Sequence, residues 1–193
     1  MALWVLAGAV FIDSIDGTLA RQIQIKVHAP QIDGGLMDNI VDFTTWTIAP
    51  LFWLYGTMHL PVWVLIVCAT ASLFGFSNMS AKTEDHFFTG FPSYWNIVAV
   101  YLYLLHFPAG WASVILLFFA ISVFLPIKFV YPSRTRFLKQ TTLVLGFIFI
   151  IHFLVLIYFF DDATPLLIYS SFLFPVYYFG LSFYLNLTSF ETS

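Results

Sequence analysis

The run from Leu143 to Phe160, LVLGFIFIIHFLVLIYFF, holds no charged side chain. Six further apolar runs lie along the same chain. We place the seven at about 2–20, 36–56, 60–78, 94–107, 110–127, 141–160 and 164–187. A helix needs roughly 20 apolar residues to cross a bilayer, and most of these runs approach that length. Ordinary stop signals separate them: Gly56 and Pro61, Pro92, Pro108 with Gly110, Pro132, and Asp161–Asp162 before Pro165. Inside hydrocarbon every backbone polar group must be satisfied within the chain, which leaves helices or closed barrels. Runs of consecutive Phe, Leu and Ile lack the two-residue alternation of a barrel strand. The expected fold is all-α, a polytopic transmembrane helical bundle of about seven spans, in one membrane-embedded domain over 1–193.

Composition excludes a water-soluble alternative. Only 9% of the 193 residues are charged and 61% are hydrophobic, whereas soluble domains carry about a quarter charged residues. The seven basic residues are Arg21, Lys26, Lys82, Lys128, Arg134, Arg136 and Lys139. With seven spans they all fall on one side, which the positive-inside rule makes cytoplasmic. That arrangement predicts an external N-terminus and a cytoplasmic C-terminus. Met1 stands almost directly before an apolar run without a hydrophilic lead, so we expect a further helix upstream. Nothing in the sequence points to nucleic acid.

The acids are gathered rather than dispersed. Half of the ten, namely Asp13, Asp16, Asp33, Asp38 and Asp42, lie in one stretch at the cytoplasmic ends of the first two runs. Asp13 and Asp16 are three apart, and Gly17 and Ala20 continue their flank. Asp38 and Asp42 are four apart, with Gly34 one turn before. Two neighbouring antiparallel helices would therefore bring four carboxylates together. Unpaired, such a cluster repels itself and resists ionisation, and only Arg21 and Lys26 are near in sequence. A divalent cation resolves the conflict: hard carboxylate oxygens suit Mg²⁺, Mn²⁺ or Ca²⁺, and Mg²⁺ combines a few carboxylates with substrate phosphates. The small residues leave room for a ligand to approach backbone, although close helix packing selects small residues too. Asp33 is off the four-residue rhythm and reads as a helix cap or solvated residue.

The pattern Asp13-x2-Asp16-Gly17-x2-Ala20-Arg21, followed by Gly34-x3-Asp38-x3-Asp42, resembles the signature of the CDP-alcohol phosphatidyltransferases, with all eight positions present. The intervening loop, QIQIKVHAPQID, is longer than is usual in that family. It is similar to that of the bacterial phosphatidylcholine synthase branch, as are DNIVDFTTWTIAP, KTEDHFFTGFPSYWN and LPIKFVYPSRTRF. The resemblance covers about residues 11–140. It implies transfer of a phosphatidyl group from CDP-diacylglycerol to choline with release of CMP, in the bacterial cytoplasmic membrane. It implies Asp13, Asp16, Asp38 and Asp42 as ligands of Mn²⁺ or Mg²⁺, with Asp42 also the base for the choline hydroxyl. Gly17, Ala20 and Gly34 would make room for the nucleotide, and Arg21 would meet its phosphates. Family members are often homodimers.

The resemblance fits the chemistry that the residues support by themselves. Phosphoryl transfer depends mainly on positioning and on neutralising oxygen charge, and a hydroxyl nucleophile needs a positioned base. The acceptor is less defined by the residues. Phe87, Phe88, Phe91, Tyr94 and Trp95, beside Glu84 and Asp85, offer faces for a quaternary ammonium or serve as interfacial anchors. Arg134, Arg136 and Lys139 read as positive-inside anchors or as attraction for anionic lipid. Serine, inositol or glycerol 3-phosphate as acceptor, an ion-coupled transporter, and a truncated inactive relative stay open. Cys68 reads as a small buried hydrophobe, and the five histidines are scattered without ligand spacing.

Overall fold

The computed structural model describes residues 2–22, 28–81, 83 and 85–190, and on α1 it leaves out the side chains of 13, 14, 16–18, 20 and 21. Helix dominates, and each of the seven apolar runs is helical. Helix α1 is Ala2–Gln22 and α2 is Gly34–Asp42. The latter passes through a π-helical segment, Phe43–Ile48, into α3, Ala49–Met58. Then come α4 (Val62–Ser77), α5 (Trp95–Leu104), α6 (Ala109–Ser122) and α7 (Lys139–Tyr158). The final run is broken into α8 (Pro165–Ser171) and α9 (Leu173–Phe190). Pro175 accounts for the break, because its ring conflicts with the carbonyl of Ser171 one turn earlier.

Among the described residues two of these stretches, α7 and the α8–α9 run, are long and apolar enough to cross a membrane. By contrast, the 10 residues of α5 extend only about 15 Å, short of the roughly 30 Å of hydrocarbon. The surface is nonetheless that of a lipid-facing protein. Trp111 is 66% exposed, Phe147 65% and Leu166 79%, on helices that are apolar all round. In water such contiguous apolar surface drives association; against acyl chains it carries no penalty.

The chain divides into two compact units. The first comprises residues 1–77 and 93–117. Its core is built from Leu54, Val64, Cys68, Trp95, Ala99, Ala112 and Leu116, all buried. A polar knot sits within it: the Trp95 indole N–H donates to Ser72 Oγ at 2.6 Å, and the Ser93 hydroxyl donates to the same oxygen at 2.9 Å. That pairing lets polar atoms lie in a dry core without the desolvation cost of an unmade bond.

The second unit comprises residues 78–92 and 118–193. It contains a short antiparallel pair, β1 (Phe87–Thr89) and β2 (Lys128–Val130), with Phe88 opposite Phe129. A two-stranded ribbon leaves two open edges, and here both are covered. Tyr178, Ser182 and Asn186 recur every fourth residue on α9 and therefore share a face. The Tyr178 hydroxyl donates to the Val130 carbonyl at 3.0 Å. The Val130 N–H pairs with Ser182 Oγ at 3.1 Å, and the Lys128 N–H donates to Asn186 Oδ1 at 2.9 Å. The Asn186 amide in turn donates to the Lys128 carbonyl. On the other edge, Thr83 bonds the Phe87 backbone and the Thr89 N–H donates to the Ala81 carbonyl.

Gly90 makes the turn out of β1 possible. Its φ of +79° lies in the left-handed region, and a Cβ there would run into the Val123 carbonyl oxygen. Backbone cannot move aside as a flexible side chain can. Gly90→Ala is therefore expected to lower stability by about 1–3 kcal/mol, read as a fall in the thermal unfolding midpoint of the detergent-solubilised protein. Gly56→Ala is the control. An added methyl there meets open space on a helix, so the midpoint is expected to hold or rise slightly.

Candidate active site

The described half of the site is built along α2, from Gly34 at its start to Asp42 at its end. Asp33 caps this helix: its Oδ1 accepts from the N–H groups of Gly35 at 2.9 Å and Leu36 at 3.1 Å. It is the cap that its off-rhythm position suggested. Gly34, Asp38 and Asp42 follow on one face, four residues apart, and both carboxylates are half-buried. The adjoining stripe is pinned. Asn39 Nδ2 donates to the Phe76 carbonyl at the end of α4 (3.3 Å), and Phe43 meets the Phe76 ring edge-on at 6.1 Å. One stripe of α2 thus fixes the helix, while the next presents acids.

Helix α1 packs against α2 and against the π segment. It carries Asp13, Asp16, Gly17, Ala20 and Arg21 on continuous helical backbone, with Asp13, Asp16, Gly17 and Ala20 sharing a face by spacing. Their side chains lie outside the described ones, as do residues Lys26, Lys82 and Glu84. The structure therefore brings together the two helices on which the acids stand, and describes the side chains of the α2 half. On that half the donor set suits a hard divalent cation: carboxylate oxygens one helical turn apart, incompletely desolvated. A Cβ on Gly34 would meet nothing within 4 Å. Gly8, Gly56 and Gly110 have the same open space, so emptiness alone marks no site.

A feature that the sequence did not announce begins one residue after Asp42. The Ala49 N–H bonds to the Thr44 carbonyl, five residues back. This π turn shifts the helix phase, so α3 presents its faces out of register with the acidic face of α2. Such segments are rare and are often found at functional sites. Threonine hydroxyls support it: Thr44 donates to the Ile40 carbonyl at 2.8 Å, and Thr45 to the carbonyls of Val41 at 3.0 Å and Asp42 at 3.3 Å. Thr47 is fully buried and its hydroxyl has no hydrogen-bond partner among the described residues. In retrospect the signal was FTTWTI itself, with threonines placed to bond backwards in a helix.

In the aromatic segment after α4, each ring has a partner within its own unit. Trp95 is buried in the core of the first unit with its N–H on Ser72, and Tyr94 leans on Trp46 at 5.7 Å. In the second unit Phe91 is buried against Phe119 and Phe88 stacks on Tyr131 at 4.4 Å. Phe87 already has a cation on its ring, the Lys128 ammonium at 5.6 Å. The same ammonium pairs with Asp85 at 2.6 Å. Burial works to raise the Asp85 carboxyl, but hydrogen bonds from Lys128 and Thr83 and the Lys128 charge hold it below the usual carboxylate range. The pair's stabilisation is thus present above the ordinary carboxylate range and lost as pH falls through the lowered value. Trp95 and Phe91 serve core packing rather than an interfacial belt. Cys68 is buried, as expected, with its thiol toward the Leu116 carbonyl at 3.7 Å.

Known proteins resemble this chain over much of its length. A phosphatidylcholine synthase of Legionella bozemanae is 41% identical over 148 residues, which is 74% of this chain and 68% of that protein. That of Legionella pneumophila is 43% identical over 145 residues, 72% of this chain and 57% of its own length. That of Pseudomonas aeruginosa is 33% identical over 185 residues, 93% of this chain and 76% of its own. The chain thus spans somewhat over half to about three quarters of the curated relatives it matches. No solved structure matches it significantly. The family model for CDP-alcohol phosphatidyltransferase matches residues 1–127, which take in α1, α2 and every acid of the site. This chain belongs to the CDP-alcohol phosphatidyltransferase family.

Proposed function

We propose that this chain transfers the phosphatidyl group of CDP-diacylglycerol to choline, giving phosphatidylcholine and CMP. The observation that carries the reading is the Gly34–Asp38–Asp42 face of α2, set beside the helix that bears Asp13 and Asp16. The names of the relatives, phosphatidylcholine synthase, support choline as acceptor.

Asp13, Asp16, Asp38 and Asp42 would hold Mn²⁺ or Mg²⁺. When bound, the metal shields the charge of the pyrophosphate oxygens. The choline hydroxyl oxygen forms a bond to the phosphorus that bears diacylglycerol, and the bond from that phosphorus to CMP breaks. Asp42 takes the hydroxyl proton, and CMP leaves with the electron pair. Arg21 meets the nucleotide phosphates, and Gly17, Ala20 and Gly34 leave space for the nucleotide. In this reading the apolar helices are embedded in the bilayer, α7 and the α8–α9 run crossing it, with the acids at the cytoplasmic level, where a lipid-anchored nucleotide and a soluble alcohol meet.

The test is CMP release by membranes containing the chain, with choline, serine, inositol and glycerol 3-phosphate offered separately. Choline-dependent release is expected, and Asp42→Asn should reduce it at least about 100-fold, the range for a lost general base. Release with another alcohol in place of choline overturns the acceptor and keeps the reaction. Chelation of divalent metal should abolish turnover, with added Mn²⁺ or Mg²⁺ restoring it. Turnover that survives chelation removes the metal from the reading.

A further inference from the structure

The second unit holds a cavity of about 440 Å³, walled by Asp85, His86, Phe87, Thr135, Arg136 and Phe137. Its volume falls in the range of small-molecule sites, roughly 300–1,000 Å³. None of these residues belongs to the Asp-Gly-Ala-Arg/Gly-Asp-Asp pattern of α1 and α2. The walls are tied together: the buried Thr135 hydroxyl donates to the His86 carbonyl at 2.8 Å and accepts from the Tyr131 N–H at 2.8 Å. One hydroxyl thereby fixes the loop before β1 to the loop after β2.

The charges on these walls select the occupant. Asp85 and Lys128 neutralise one another at 2.6 Å, and Lys128 also covers the Phe87 ring. Arg136 is exposed, and among the described residues its guanidinium has neither ion pair nor hydrogen bond. A quaternary ammonium would find the aromatic face taken and a guanidinium facing it. An anion with several oxygens finds a free fork of N–H donors. Position in the chain narrows this further. Arg136 is followed by the exposed Phe137 and Leu138, and then at Lys139 by α7, a 20-residue helix able to cross the membrane. Where α7 crosses a bilayer, its first residues stand at the level of lipid headgroups, and so would a cavity at its mouth.

We infer that this cavity is a binding site for the phosphodiester headgroup of an anionic phospholipid, with Arg136 as its phosphate ligand. The site stands apart from the proposed transfer reaction and does not depend on it.

Native mass spectrometry of the full chain in neutral detergent tests this, with dioleoylphosphatidylglycerol as probe and dioleoylphosphatidylcholine as comparison. One phosphatidylglycerol per chain is expected to be retained in preference to phosphatidylcholine. Arg136→Gln should weaken that retention about fivefold, the share of one basic side chain at an anionic surface, and Arg136→Lys should recover most of it. Unfolding of both variants should match the unmodified protein, since Arg136 is exposed. Equal retention by Arg136→Gln, or no preference over phosphatidylcholine, overturns the site. Displacement of the lipid by millimolar inorganic phosphate also overturns it, because the ligand would then be a soluble phosphate.

Discussion

In hydrocarbon a backbone N–H or C=O without a partner costs several kcal/mol, and that single constraint organises most of what is seen here. Helices meet it internally. The exceptions are the informative places. Where the second unit departs from helix, the β1–β2 ribbon has one edge closed by Tyr178, Ser182 and Asn186 of α9 and the other by Thr83 and Ala81. Where the first unit departs from α geometry, in Phe43–Ile48, threonine hydroxyls bond to the carbonyls of Ile40, Val41 and Asp42. In both places polar side chains bond to backbone where regular α-helix is interrupted.

The same constraint explains why the acids stand where they do. A carboxylate within the apolar length of a helix would be forced toward its neutral form. Asp38 and Asp42 stand instead in the middle and at the end of the nine-residue α2 and remain half-buried, within reach of water. Precision at this position comes from the neighbouring stripe, since Asn39 and Phe43 are both held on Phe76. The π segment then separates two requirements. The phase that presents acids on α2 need not be the phase that packs Leu51 and Leu54 into the core. An uninterrupted α-helix would have to satisfy both with one register.

Much of this was legible in the sequence because it depends on local spacing. The apolar runs became helices, Asp33 became a cap, and Gly34, Asp38 and Asp42 share a face because four residues make about one turn. Other features depend on partners distant in sequence and were not legible. HFFTGFPSYWN reads as a pool of aromatic faces, yet each ring is claimed by a residue far away, Trp95 by Ser72 and Phe88 by Tyr131. The ribbon went unread for the same reason, since β1 and β2 are three residues each and 38 residues lie between them. The break before α9 was within reach, because Pro175 stands one turn after Ser171, but a continuous apolar run concealed it.

Charge is scarce enough here that each pairing determines what remains available. Lys128 spends its ammonium on Asp85 and on the Phe87 ring, and Arg134 lies over Tyr131 at 5.4 Å. Those contacts make two of the cations part of the scaffold. Arg136 is left outside that scaffold, exposed beside a walled cavity and three residues before a helix able to cross the membrane. Aspartates gathered on α1 and α2 favour cations, and a guanidinium at the mouth of α7 favours anions. With 17 charged side chains in the sequence, the proposed metal site and the proposed lipid site draw on opposite charges, and the pairing of Lys128 with Asp85 leaves the guanidinium of Arg136 to set the second.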